Sequence, residues 1–419
     1  MKKLIQNLWK IFLVTLPFSI HYVFYEAASY RFGQFNPWVT GILYLPEVLL
    51  GLIFIMWMVD RLQHSPTLKR SKKKGRGFKV LSFLFWFFFL LNAGFITFLQ
   101  GDFILFFVFA FKVFMAVIVC LLLQDELIPK EHTVLYLLYG ALFQVIIGGL
   151  QVYFNGSIGL EWLGESQLSA ESFNVAKNDL ANGSKQIRAY GTFLHPNILG
   201  AYLVTILFLS LPHLKRAGRL LWPLVLLFGI YLTGSQAALL TTGILLGAWI
   251  LFKIVRQPVH QKISLVLGFF VLMMVNSWFF FNHGQMGVED PSISQRVMQN
   301  EIAQDMLKDN LSGVGVQNFT LNMENHSEER LMPWEVQPVH NVYFLVLNEM
   351  GLQGLVLLLI LISLTLKSFF KRIDLKRENV ATIFPFLGLL ILASFDHLLM
   401  TSYVGLLLVA LALCHSRLK

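Results

Sequence analysis

The feature that most constrains this chain is a succession of apolar blocks separated by short polar joints. The blocks run about 17–25 residues, the length an α-helix needs to cross about 30 Å of hydrocarbon. In such a medium every backbone N–H and C=O must be bonded within its own segment. A run like Phe83 to Phe98 therefore reads as helix. Hydrophobic residues make up 56% of the 419 and charged residues 14%, and the mean hydropathy is +0.63. A soluble surface of this size needs more charge. The expectation is an all-α, polytopic integral membrane protein, a single transmembrane domain over residues 1–419.

About 12 spans are expected, at 9–25, 38–59, 80–98, 103–123, 133–153, 196–214, 219–234, 236–254, 263–282, 339–366, 380–396 and 400–415. Lys2, Lys3 and Lys10 precede the first apolar block and no small-residue cleavage site follows, so it reads as a retained helix. With both termini cytoplasmic, the inside segments hold about 25 of the 33 lysines and arginines. The outside ones hold Arg31, Lys177, Lys185, Arg188, Arg296, Lys308 and Arg330. The net charge of +9 is thus a topology signal rather than a nucleic-acid footprint. Cys120 and Cys414 lie in apolar blocks far apart, and neither a disulfide framework nor a zinc site is expected.

Two outer segments are long, 154–195 and 283–338. Loops of that length are often functional. The second carries an amphipathic stretch with Ile293, Val297, Ile302 and Met306 at helical spacing, stopping at Asn310-Leu-Ser-Gly313. No internal repeat is visible, which disfavours a transporter built from inverted halves.

Candidate chemistry gathers at the outer ends. Pro338 marks a helix start, which places His340 in a first turn, where the positive helix end disfavours imidazolium. A neutral imidazole there can accept a proton, or it can simply bond a loop carbonyl. Arg188 and Arg296 lie in outer loops with few other cations, and an arginine fork suits phosphate oxygens. A lipid headgroup or a carboxylate is the plainer partner, with Glu289 and Asp290 near Arg296. His195-Pro196-Asn197 opens another helix descending from outside, whose free N–H groups favour an anion; Asn197 reads more simply as its cap. Lys112 falls mid-span, where a charge is functional by default, and it could face a cavity or pair with Glu47. Glu349, Asp396 and His397 have weaker claims, and Gly351 and Gly354 read as close helix packing. No Asp-x-Asp pair, Walker loop or metal-spaced His/Cys cluster is present, which disfavours a metal-dependent nucleotide-sugar enzyme and an ATP-driven pump.

Four motifs in order resemble the bacterial O-antigen ligase and O-antigen polymerase superfamily. They are Arg188-x-x-Gly191-Thr-Phe-x-x-Pro196-Asn197, then Thr233-Gly-Ser-Gln-Ala-Ala-Leu. Arg296 with Asp309-Asn-Leu-Ser-Gly-Val-Gly-x-x-Asn-Phe319 follows, and then His340-Asn341-x-Tyr343 with Glu349-x-Gly-Leu-x-Gly354. Gln236 departs from the pattern, since many relatives carry Arg after Gly-Ser.

The resemblance implies a GT-C-like membrane glycosyltransferase with a large extracytoplasmic loop, working at the outer face of the cytoplasmic membrane without a cofactor or metal. Its donor would be a glycan on a polyprenyl diphosphate, and its acceptor a second glycan. His340 would correspond to the family's outer-loop His, and Arg188 and Arg296 to its two essential arginines. His195, Asn197, Asn341, Tyr343, Glu349 and Lys112 are supporting candidates. Polymerisation of surface-polysaccharide repeat units is the favoured activity. Ligation to a lipid or protein acceptor is the alternative, and flipping of lipid-linked sugars is the rival of another class.

Overall fold

The computed structural model describes residues 1–26, 29–31, 34–64, 76–172, 175–180, 183–214, 218–254, 291–372 and 382–415. Among the described residues, 70% are helical and no sheet is closed. The apolar blocks become α1 (Lys2–Thr15), α2 (Leu45–His64), α3 (Arg76–Gln100), α4 (Phe103–Gln124), α5 (Lys130–Phe154), α6 (Pro196–Ser210), α7 (Gly218–Leu232) and α8 (Gln236–Ile254). After the undescribed stretch come α9 (Pro291–Asp309), α10 (Phe319–Asn322), α11 (Val342–Arg372), α12 (Phe384–Leu392), α13 (Leu398–Thr401) and α14 (Tyr403–His415). Among the described residues, four segments are long and apolar enough to cross a membrane: Phe103–Gln124, Lys130–Phe154, Pro196–His213 and Val342–Phe369. The expected span 263–282 lies outside the described residues, as do Glu289 and Asp290 and most of the basic inside loops.

The first two spans need correction. A helix over 9–25 is not formed; α1 stops at Thr15, just before Pro17, whose ring cannot continue it. The aromatic and branched residues beyond form β1 (His21–Tyr25), antiparallel to β4 (Gly41–Tyr44), so the second helix starts at Leu45 rather than at 38. Two-residue strands β2 (Tyr30–Arg31) and β3 (Gln34–Phe35) pair within that connection. The long segment between α5 and α6 carries a hairpin of its own, β5 (Lys177–Asp179) with β6 (Lys185–Ile187). The tight joint between α7 and α8 holds as expected, turning at Gly234 with φ +57°.

α6 is the axis of the bundle, with all its residues buried. It packs against α5, α7, α8, α12 and α14, while α3 pairs with α11 and α4 with α14. Cys120 of α4 and Cys414 of α14 are joined as a disulfide with Cα atoms 5.4 Å apart, correcting the expectation of no bridge. A separation of 294 residues hides such a pairing until the two helices are seen side by side.

α11 bends at Gly351, whose φ of +70° favours glycine and breaks the helical ladder, so this glycine makes a kink. The carbonyls freed there are met from outside the helix. Val314 N–H donates to Asn348 O, Gly315 N–H to Glu349 O, and Asn92 Nδ2 to Met350 O. The loop after α9 is thereby bolted to α11.

Candidate active site

Hydrogen bonds sort the connections into two ends of the bundle. At one, Gln6 Nε2 donates to Leu127 O, 2.7 Å away, bringing the start of α1 to the α4–α5 turn. At the other, Asp102 of the α3–α4 turn accepts from Tyr25 and its N–H donates to Asn318. There a cavity of about 390 Å³ opens, lined by four connections. They contribute Phe35, Asn36 and Trp38; Gln167, Tyr190, Leu194 and His195; Trp334, Gln337 and His340; and Asp396, His397 and Thr401.

The second connection is held by glutamines of α5 that no apolar pattern would reveal. Gln151 Oε1 accepts from the N–H groups of Tyr190 and Gly191, at 3.1 and 2.8 Å, and Gln144 Oε1 accepts from Thr192 N–H at 2.8 Å. Gly191 turns with φ +62°, and a Cβ there would run into Gln144 Oε1. This scaffold aims Arg188, whose Nε donates to Thr233 O at 2.6 Å and Nη2 to Asn197 Oδ1 at 3.0 Å. Asn197 Nδ2 in turn donates to Asp396 Oδ2 at 2.9 Å. Asn197 therefore bridges Arg188 to Asp396. The helix cap is His195, whose Nδ1 accepts from Asn197 N–H at 3.2 Å.

His340 stands one residue before the cap of α11 rather than inside its first turn. Asn341 is the cap, its Oδ1 accepting from Phe344 N–H at 3.0 Å while its Nδ2 donates to Ser394 O at 3.3 Å. Tyr343 donates through its hydroxyl to Leu390 O at 3.1 Å. These two residues tie α11 to the end of α12 and so fix His340 beside Asp396 and His397. The imidazoles of His340 and His397 meet edge to face, centroids 5.0 Å apart, and the Trp38 and His397 rings also meet edge to face, centroids 4.7 Å apart. His340 Nδ1 is 2.6 Å from Gln299 Oε1, and His397 Nδ1 is 2.7 Å from Thr401 Oγ1.

Burial lowers the pKa of His340 well below 6.5; neighbouring His397 and Arg296 lower it further, and Asp396 only partly opposes them. Burial and Arg188 bring His195 down to about 3, and His397 is lowered chiefly by burial. Burial alone would raise Asp396. The surrounding imidazoles and the Asn197 bond outweigh it, leaving the carboxylate ionised with a pKa of about 2. Arg296 acts on all three imidazoles and Arg188 on His195, so the two guanidinium fields overlap at His195. Neither arginine is itself part of the cavity wall.

Two supporting candidates lie elsewhere. Glu349 is buried and accepts from Phe319 N–H at 3.3 Å, anchoring the loop that crosses α11. Lys112 pairs with Glu47, Nζ to Oε2 2.7 Å, and donates to Ile42 O at 2.6 Å. Gln236 is exposed at the start of α8. Asp396 and His397 gain most from the structure: in the sequence they are a polar pair at the end of an apolar block. Gln299 carried no signal beyond its place in an amphipathic stretch. Among the described residues, no three His, Cys, Asp or Glu side chains are placed to hold a metal ion.

Residues 221–359, a third of the chain, match the family model described as O-antigen ligase, a span that includes Arg296, His340, Asn341, Tyr343 and Glu349. No curated protein matches the chain.

Proposed function

From the match of residues 221–359 to the O-antigen ligase family model, we propose that the protein belongs to the O-antigen ligase and polymerase superfamily and is a multi-pass membrane glycosyltransferase. It takes its glycan from a polyprenyl-diphosphate donor and works at the outer face of the bacterial cytoplasmic membrane. The full architecture is read as about 12 spans, GT-C-like, in one domain over 1–419. Its outer loops are 154–195 and 283–338, and both termini are cytoplasmic. The observation that carries the proposal is the cavity at which four connections bring three neutral imidazoles and one carboxylate together, within the fields of Arg188 and Arg296.

The lipid lies against the helices and its diphosphate at the mouth of the cavity. Arg188 and Arg296 stabilise the charge that grows on the diphosphate as the glycosidic bond breaks. Diphosphate is a good leaving group, so an electrophilic clamp matters more than a general acid. His340 takes the proton from the acceptor hydroxyl as that oxygen attacks the anomeric carbon, and a single displacement inverts it. The indoles of Trp38 and Trp334 offer apolar faces to sugar rings, while Asn36, Gln167 and Gln337 offer amides to their hydroxyls.

We favour polymerisation of repeat units, ligation being the alternative outcome. Purified protein incubated with a lipid-diphosphate oligosaccharide separates the readings on a gel. A ladder marks a polymerase and a single shifted acceptor a ligase. Intact donor moved across a vesicle membrane, with no new linkage, overturns the proposal in favour of a flippase. Cysteines placed at Ser169 and Ser71 should react from opposite sides of the membrane; labelling from one side overturns the topology.

A further inference from the structure

α9 presents a buried face of Ile302, Ala303 and Met306, and Gln299 lies on it, fully buried, where an apolar residue would be the simple choice. Burying an amide is costly unless it is paired. Gln299 spends its oxygen on a single contact, Oε1 to His340 Nδ1 at 2.6 Å, and its Nε2 has no hydrogen-bond partner among the described residues. It stands three residues after Arg296, so one helix turn supplies both the guanidinium and the contact to the imidazole.

We propose that Gln299 is a positioning residue that fixes the tautomer and aim of His340. The inference rests on the reading of His340 as the base. An amide oxygen facing Nδ1 requires the proton there, which leaves the lone pair on Nε2, on a ring that lines the cavity. When Nε2 takes the acceptor's proton, the ring becomes imidazolium and its Nδ1–H bond to Gln299 turns charge-assisted. An amide turned the other way would place hydrogen on Nε2, and the ring could no longer accept a proton there. His397, Asp396, Arg296 and His195 also face His340 and set the pH at which it titrates; Gln299, being uncharged, sets which nitrogen does so.

The test uses the full-length protein in detergent, with lipid-linked glycan extracted from the cells that make it, and follows kcat and KM from acid to alkaline pH. Gln299→Leu should lower kcat roughly ten- to a hundredfold with the donor KM unchanged. Gln299→Glu keeps the length and the oxygen but adds a charge that favours imidazolium. It should approach wild-type kcat at alkaline pH, with its acid limb moved upward by about one pH unit or more. An unmoved limb in Gln299→Glu, or wild-type kcat in Gln299→Leu, overturns the inference. Should Gln299→Leu fail to fold, judged by its elution profile, the Glu limb alone decides. His340→Ala run in parallel separates the two levels: full activity there removes the base itself, whatever Gln299 does.

Discussion

The Lys112–Glu47 pair and the His340–Asp396 cluster both bury ionisable groups among apolar helices, yet they are closed off differently. Lys112 spends its ammonium on Glu47, on Ile42 O and on the ring face of Tyr44, 4.9 Å away, and it does not line the 390 Å³ cavity. His195 and Asp396 bond to Asn197, His340 to Gln299 and His397 to Thr401, and all four still share the wall of a 390 Å³ cavity. A charge in a membrane span is therefore no sign of chemistry by itself. What distinguishes a site is a polar cluster that remains open to something beyond the protein. Lys112 reads as a brace holding the β1–β4 connection to α4, and the imidazole cluster is where we propose that a substrate is met.

The sharpest way to break this contrast is at its open side. His340→Ala should cost transfer by about 10²–10⁴-fold, the usual contribution of a general base, while the protein remains inserted and abundant. A gel assay of product against membrane protein level measures both, and undiminished transfer removes His340 as the base. Arg188→Lys and Arg296→Lys come next, with an expected loss of about 10²–10³-fold, because a point charge lacks the planar fork. Arg188 is the more demanding case. Its geometry is set by Thr233 O and Asn197 Oδ1, two acceptors that a lysine cannot meet at once with the same reach. Wild-type turnover in either variant would make that arginine structural.

A smaller effect is read from pH. A solvent-exposed imidazole loses its basic form as the pH falls through 6.5, whereas burial and the neighbouring His397 hold His340 well below that value. The base is thus retained above its lowered pKa and lost only as the pH falls through it. Turnover should stay level from pH 8 to 6.5 and decline only in more acid buffer. A half-loss at or above 6.5 would mean that the cluster is solvated like the surface.

The helices were legible because lipid leaves an apolar block of about 20 residues one way to satisfy its backbone. The exceptions have local causes. Around His21–Tyr25, hydrophobicity was strong but Pro17 had already ended the helix, and the strand partner at Gly41–Tyr44 is a long-range fact. His340 stood out as a polar side chain at the end of an apolar block, and Arg188 and Arg296 as two of the few cations in the outer loops, while the roles given to them rest on the proposal. Asn197 was read as the cap that His195 supplies, since which of two neighbours caps a helix depends on the third dimension. Asn197 is drawn away from the cap by Arg188 and Asp396. Gln299, Gln144 and Gln151 were silent for a related reason: a glutamine within an apolar stretch does not announce which backbone or ring it will meet.

The closed side of the comparison carries the smallest expected change in activity. Lys112→Met leaves Glu47 buried without its cation, and breaking one half of such a pair costs about 3–5 kcal/mol. The yield of folded protein should fall, while transfer per folded molecule stays at the wild-type level. Adding Glu47→Leu removes the stranded carboxylate together with its desolvation cost, so the double variant should recover much of the lost yield. Tyr44 N–H, which now donates to Glu47 Oε2 at 2.9 Å, and Ile42 O, which now accepts from Lys112 Nζ at 2.6 Å, both lose those partners in that exchange, and this limits the recovery. Thermal unfolding in detergent measures the stability arm and the gel assay the activity arm. If the double variant is well folded but transfers poorly, then Lys112 reaches the reaction after all, and a buried charge that looks closed can still belong to the chemistry.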